Sequence, residues 1–288
     1  MTLQMIWPWQ DRQRRFSALK ASALALTCAP ALLMAYQFAV GEFGILALAY
    51  GGLTYWSGVW ATLVLFLAMA VTPAQRIFRI RALVDTRRII GVGALVYTIA
   101  HIIIYFGLRN WNWAFIANEV ATRLSLIVAT LSTLGLIALG ATSLDAAVRR
   151  MGANWQRLHN IVYTVAALAL FHALLSRGSF PEQYLMSGIF FWLMAWRLLA
   201  RYGRGADARA LAGLAVASCL LAILLEAGRL WLTRGWSPMG TLGLNFTLDL
   251  GIPPAWKVLA LGLTIALAAA VRQAPRLQPA PLEASEAG

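Results

Sequence analysis

Three histidines, His101, His159 and His172, are the residues of this chain best suited to chemistry, and each lies inside an apolar segment. A neutral imidazole is the commonest protein ligand for metals, and an ionisable side chain at membrane depth is a functional candidate by default. Together the three could ligate the iron of a haem. A proton relay, or plain hydrogen bonding to neighbouring carbonyls, are the other readings open to them. Cys28 and Cys219 each stand alone in an apolar run. That spacing argues against a disulfide framework, a structural zinc or a cysteine-ligated iron–sulfur cluster.

The elements that must position these histidines are membrane helices. The 288 residues are 60% hydrophobic and 12% charged, with a mean hydropathy of +0.69. A soluble domain carries roughly twice that share of charge. The expected fold class is an all-α polytopic membrane helix bundle, because open strands cannot cross lipid with unpaired backbone. About eight spans are predicted, at 17–40, 57–72, 89–108, 122–144, 157–176, 183–200, 209–232 and 255–272. The first apolar run lacks a clear cleavage site and reads as a retained helix.

The net charge of +13 is not a nucleic-acid patch, and no nucleic-acid partner is expected. Its arginines fall in short clusters at alternate loops: Arg12, Arg14 and Arg15; Arg76 to Arg88; Arg149 to Arg157; Arg197 to Arg209; Arg272 and Arg276. The intervening loops are nearly free of them. By the positive-inside rule both termini are cytoplasmic. Trp111 and Trp113 fit an aromatic belt on the opposite side, and lipid is the surrounding partner. The tail from Pro275 is rich in Pro, Ala and Glu and reads as disordered.

Depth follows from the rise of a helix. His101 comes thirteen residues after Arg88, about 20 Å along the axis at ~1.5 Å per residue. His172 comes thirteen residues after His159, again about 20 Å deeper. His101 and His172 therefore sit at similar depth on two helices that run the same way, where they could hold one haem between them. His159 lies near the cytoplasmic start of its helix. Thirteen residues leave an ideal helix ~140° from its starting face, so ligation by both His159 and His172 needs a local helix distortion or haems approached from different sides.

Local strings carry a resemblance. Thr86-Arg87-Arg88-Ile89-Ile90-Gly91 leads into the helix of His101, and Trp155-Gln156-Arg157-Leu158-His159-Asn160-Ile161-Val162-Tyr163 opens the helix of His172. Over residues 15 to 200 the chain resembles the MsrQ branch of the ferric reductase-like transmembrane family, the haem-binding membrane subunits of bacterial methionine sulfoxide reductase systems. The resemblance implies a six-helix haem-binding core at 17–200, after a short cytoplasmic segment at 1–16. It also implies one or two b haems, with FMN left open, in the bacterial inner membrane. Electrons would pass from the quinone pool or a cytoplasmic flavin reductase to a periplasmic molybdenum-containing reductase, MsrP-like, which repairs oxidised methionine. His101, His159 and His172 carry over as the candidate iron ligands.

Two departures stand out. Ferric reductases carry two histidines on each of two helices, but here the position fourteen before His101 is Arg87. A protonated guanidinium is a poor iron ligand and a good partner for anions. Arg87 and Arg88 are therefore expected to meet haem propionates or a flavin phosphate, unless they serve topology alone. The second departure is a two-helix extension at 201–272, followed by the 273–288 tail. Within it Glu226 and Arg229, three residues apart, are expected to form an ion pair or to touch a ligand. Gly91 and Gly93 suit close helix packing or the approach of a planar ligand. Trp155 suits interfacial anchoring or flavin stacking. The chain carries no P-loop and no GxGxxG strand–helix signature, so its electron donor and its final acceptor site are expected on other proteins. Two further readings stay open: an autonomous membrane oxidoreductase acting on ferric chelates, superoxide or oxygen, and a transporter or scaffold with structural histidines.

Overall fold

The structure, a computed structural model, describes residues 7–10, 13–44, 46–176, 180–247 and 251–273. Among these residues every regular element is helical, apart from one antiparallel bridge between Gln10 and Phe16. The expected tail lies outside the described residues.

Helix α1 (Ala18–Ala39) is started by Ser17, whose hydroxyl accepts from the backbone N–H of Lys20 at 3.4 Å. Such a cap satisfies one of the free donors of the first turn. Helix α2 (Leu46–Phe78) begins at Leu46, well before the expected 57, and runs 33 residues. The loop predicted there is largely apolar, and its Leu and Ala residues carry the helix through Gly51 and Gly52. A 3-10 turn (Arg81–Thr86) leads into α3 (Arg87–Leu108). A separate helix α4 (Trp113–Thr122) then precedes α5 (Leu124–Ala141). Asn112 caps α4 by accepting from Phe115 N–H at 3.1 Å.

The expected span 157–176 is divided. Short helices α6 (Asp145–Met151) and α7 (Ala153–His159) meet at Gly152, whose φ is +53°. A break at Asn160–Ile161 separates α7 from α8 (Val162–Leu175). There the bonding shifts from i−4 to i−3, with Ile161 N–H on the Leu158 carbonyl and Tyr163 N–H on Asn160. The helix is thus distorted between His159 and His172.

Helices α9 (Pro181–Arg201), α10 (Ala208–Arg234), α11 (Pro238–Leu244) and α12 (Pro254–Gln273) complete the bundle. Among the described residues, seven helical segments are long and apolar enough to cross a membrane. Helix α9, predicted as an eighth, falls outside that group. It carries Glu182, Gln183, Arg197 and Arg201, and it packs against α2, α8, α10 and α12. A helix shielded by its neighbours can hold polar groups that lipid would penalise.

The main core runs the length of the bundle, from Ala23 of α1 through Phe66, Ala94, Ala166 and Trp196 to Ala269 of α12. The last helices join it through small residues. A Cβ at Gly188 of α9 would meet Val258 of α12 at 2.7 Å, and one at Gly262 would meet Ala215 of α10 at 2.5 Å. Gly93 of α3 likewise admits Thr27 of α1, where a Cβ would lie 2.3 Å from the threonine methyl. Backbones approach this closely only where side chains are absent or small.

Candidate haem-ligand site

His101 stands on α3, backed by α2. Its Nδ1 lies 3.0 Å from the Ser57 hydroxyl, which in turn donates to the Thr54 carbonyl at 3.1 Å. A hydroxyl has one proton to give. With that proton on Thr54, the Ser57 oxygen accepts from His101, so Nδ1 carries the imidazole proton and Nε2 keeps its lone pair. The ring also rests on Gly58, where a Cβ would lie 3.0 Å from Cε1 and 3.2 Å from Nδ1.

His172 stands on α8, backed by α5. Its Nδ1 lies 2.8 Å from the backbone carbonyl of Ser125. A carbonyl only accepts, so Nδ1 is again the protonated nitrogen. The two histidines thus reach the same state through different acceptors. Neither Nε2 has a hydrogen-bond partner among the described residues, and neither is a fully enclosed atom. Metal-binding histidines are oriented in this way: one ring nitrogen donates to protein and the other is presented to the metal.

The helices keep the two rings apart yet in reach. Helix α3 packs chiefly on α2, and α8 chiefly on α5, rather than on each other. The rings of His101 and His172 still lie within electrostatic range. Two half-buried imidazoles with bare Nε2 atoms, on helices separated by their own partners, form a donor set that fits a planar iron macrocycle.

His159 is differently placed. Its Nε2 lies 3.2 Å from the Thr142 hydroxyl, which donates to the Ala138 carbonyl at 2.7 Å and so accepts from the imidazole. Trp155 stacks on the ring at 3.9 Å between centroids and 26° between planes. The Trp155 indole N–H donates to the Thr142 carbonyl at 2.8 Å. Trp155, Thr142 and His159 therefore form one closed cluster that ties α7 to the end of α5. Arg87 lies within electrostatic range of His159. Its neighbour Arg88 is paired with Asp145 at 2.6 Å on an exposed surface.

At the opposite end, Glu119 of α4 is nearly buried and held by three groups. The Tyr105 phenol donates to it at 2.7 Å, Arg109 Nε lies 2.9 Å away, and Arg123 pairs with its second oxygen. Burial pushes this carboxyl up, but the phenol and the two guanidinium groups outweigh it and hold the carboxyl below its ordinary range. Arg123 is the N-cap of α5, two residues before the Ser125 carbonyl. The sequence singled out none of Ser57, Gly58, Ser125 or Glu119. Only the i,i+4 spacing of Glu119 and Arg123 could have been read from the chain.

The expected pairing of Glu226 with Arg229 is corrected. Each has found another partner: Asn245 donates to Glu226 at 3.0 Å, while Arg229 donates to the Gln183 amide oxygen and to the Ser176 carbonyl. Neighbours on one helix face give way here because α9 and α11 offer better-aligned groups across the bundle.

Comparison with known proteins bears on this arrangement. Residues 53–170 match the ferric reductase like transmembrane component. The match takes in α3 and the break before α8, and ends two residues before His172. A protein-methionine-sulfoxide reductase heme-binding subunit MsrQ of Azospira oryzae is 31% identical over 67% of this chain and 84% of its own length. The chain belongs to the MsrQ family. Other MsrQ subunits, from Xanthomonas campestris pv. campestris and Caulobacter vibrioides, are 31% and 32% identical over 64% and 60% of this chain and 87% and 83% of their own lengths. No solved structure matches. Membership in the MsrQ family and the seven apolar helices together make this a multi-pass membrane protein.

Proposed function

We propose that the chain is a membrane electron-transfer subunit holding one b haem between His101 and His172. The observation that carries this reading is the matched state of the two rings, each anchored through Nδ1 with Nε2 bare. A bis-histidine b haem supplies reversible one-electron carriage. The protein's part is to fix both ring planes, which Ser57 and the Ser125 carbonyl do, and to surround them with helices that limit water. The names of the MsrQ relatives, heme-binding subunits, support a bound haem.

On this reading the arginine-rich end is cytoplasmic and the membrane is the bacterial inner membrane. The quinone pool or a cytoplasmic flavin reductase supplies electrons, and a periplasmic MsrP-like methionine sulfoxide reductase consumes them. Arg87, which has no carboxylate ion pair among the described residues, is the cation available to a haem propionate or an FMN phosphate. Arg88 shares its charge with Asp145. His159 can take a second haem only by releasing Thr142 from Nε2 or by turning Nδ1 to the iron, so its cluster is assigned a structural role.

The test is a pyridine haemochrome assay with reduced-minus-oxidised spectra on the detergent-purified chain and on His101→Ala and His172→Ala. The expected result is one haem per chain, lost in either variant. A chain that stays colourless when haem is supplied during expression would sink the proposal in favour of a transporter or scaffold. Turnover of ferric chelates or superoxide by the purified chain alone would favour an autonomous oxidoreductase.

A further inference from the structure

Among the described residues, Arg229 hydrogen-bonds the last three helices to the end of the helix of His172. Arg229 of α10 donates one nitrogen to the Ser176 carbonyl at 3.2 Å and another to the Gln183 amide oxygen. Ser176 is the C-cap of α8, and its hydroxyl donates to the carbonyl of His172 itself at 2.8 Å. Gln183, almost wholly buried on α9, turns its amide nitrogen to the Ala173 carbonyl at 2.9 Å. The carbonyls of His172, Ala173 and Ser176 are thus all engaged, and two of the three contacts depend on Arg229 and Gln183.

Physical chemistry gives this arrangement two effects. The free carbonyls at a helix C-terminus carry partial negative charge, and a cation there is favourable. A half-buried guanidinium one helical turn from a ligand also acts through a low dielectric, with little screening. We propose that Arg229 is a positioning and tuning residue for the His172 site: through Gln183 and Ser176 it fixes the end of α8, and its charge favours the reduced state of the iron held there. The inference rests on the haem reading. It also gives α10, which lies outside the matched residues 53–170, a part in that site.

The sign follows from charge. Reduction adds one electron to the site, so a nearby cation stabilises the reduced form. Removing the cation lowers the midpoint potential.

The experiment is an equilibrium redox titration of the haem α-band in the full chain, with dithionite as reductant. The variants are Arg229→Gln, Arg229→Lys, Gln183→Glu and, as a control, Arg234→Gln at the exposed end of α10. For Arg229→Gln the expected change is about a tenfold loss of preference for the reduced state, or ~59 mV downward for a one-electron couple. Arg229→Lys keeps the charge and loses the two-pronged geometry, so its potential falls less. Gln183→Glu adds a negative charge beside Arg229 and shifts the potential down while keeping the Arg229 contact and losing the amide donor to Ala173, a reading that stands even if Arg229→Gln fails to assemble. Arg234→Gln leaves the potential unchanged. Haem-loaded variants at residues 229 and 183 that all titrate like the parent overturn the inference and leave the haem reading intact. A parent chain that binds no haem overturns both.

Discussion

His172 donates its Nδ1 proton to the main-chain carbonyl of Ser125 at 2.8 Å, whereas His101 meets a side chain first, the hydroxyl of Ser57 at 3.0 Å, with the Thr54 carbonyl also in reach. The difference separates the two ligands experimentally. A main-chain acceptor survives any change of its side chain, and a hydroxyl does not. Ser125→Ala should therefore leave haem content and affinity unchanged. Ser57→Ala should weaken haem binding by about 10-fold, the low end of the loss seen when a group orienting a metal-binding histidine is removed, because the Thr54 carbonyl stays within reach of the ring. Haem titration of the apo-protein measures both, and equal effects at the two positions would contradict the assigned anchoring.

How much of this was readable in the chain depends on the range of each interaction. Hydropathy located most of the spans because lipid imposes one requirement on every residue of a crossing helix, but it also marked α9, which falls outside the seven apolar segments found among the described residues. The three histidines declared themselves as rare ionisable groups in apolar runs. Ser57, Gly58 and Ser125 did not, because their meaning comes from a ring more than forty residues away. The same blindness produced the Glu226–Arg229 expectation. Spacing shows which residues share a helix face but not what a neighbouring helix offers them, and here Gln183 and Asn245 offered more. The break after His159 was half visible: thirteen residues could not place both histidines on one ideal face, but nothing local fixed it at Asn160.

The Trp155–His159 cluster predicts a variant that separates structure from redox chemistry. Trp155→Ala removes a stacked ring and an indole hydrogen bond, and should lower stability by about 1–3 kcal/mol. His159→Ala should leave one haem per chain, because the ring is committed to Trp155 and Thr142. Thermal denaturation in detergent reads the first, and the haem-to-protein ratio reads the second. A ratio that falls from two to one on removing His159 would place a haem on it.

Glu119 predicts a dependence on pH. Its carboxyl is held below the ordinary value of 4.5 by Tyr105, Arg109 and Arg123 against the opposing effect of burial. A depressed folded pKa contributes stability that is complete above the unfolded value and is lost as pH falls through the folded one. Glu119→Gln should be less stable than the parent at neutral pH, by about 1–3 kcal/mol for the loss of charged hydrogen bonds. The two proteins should converge as the pH falls below about 5 and through the depressed folded value. Melting curves across that range, with a gap that does not narrow in acid, would contradict the assignment.

Arg88 and Asp145 make a contrasting case. Their side chains are 51% and 68% exposed, and the pair lies open to solvent. Exposed ion pairs contribute roughly 0–1 kcal/mol and are screened by salt. Arg88→Ala should therefore shift the melting temperature little at physiological ionic strength, and any larger change in haem content would mark Arg88 as an anion partner.

Gly58 has a consequence for how such a sequence can change over generations. Every amino acid except glycine would set a Cβ 3.0 Å from the imidazole of His101. A side chain at position 58 therefore requires the ring to give way by a few tenths of an ångström or α2 to repack against α3. The histidine and the glycine are coupled in inheritance, though they stand forty-three residues apart.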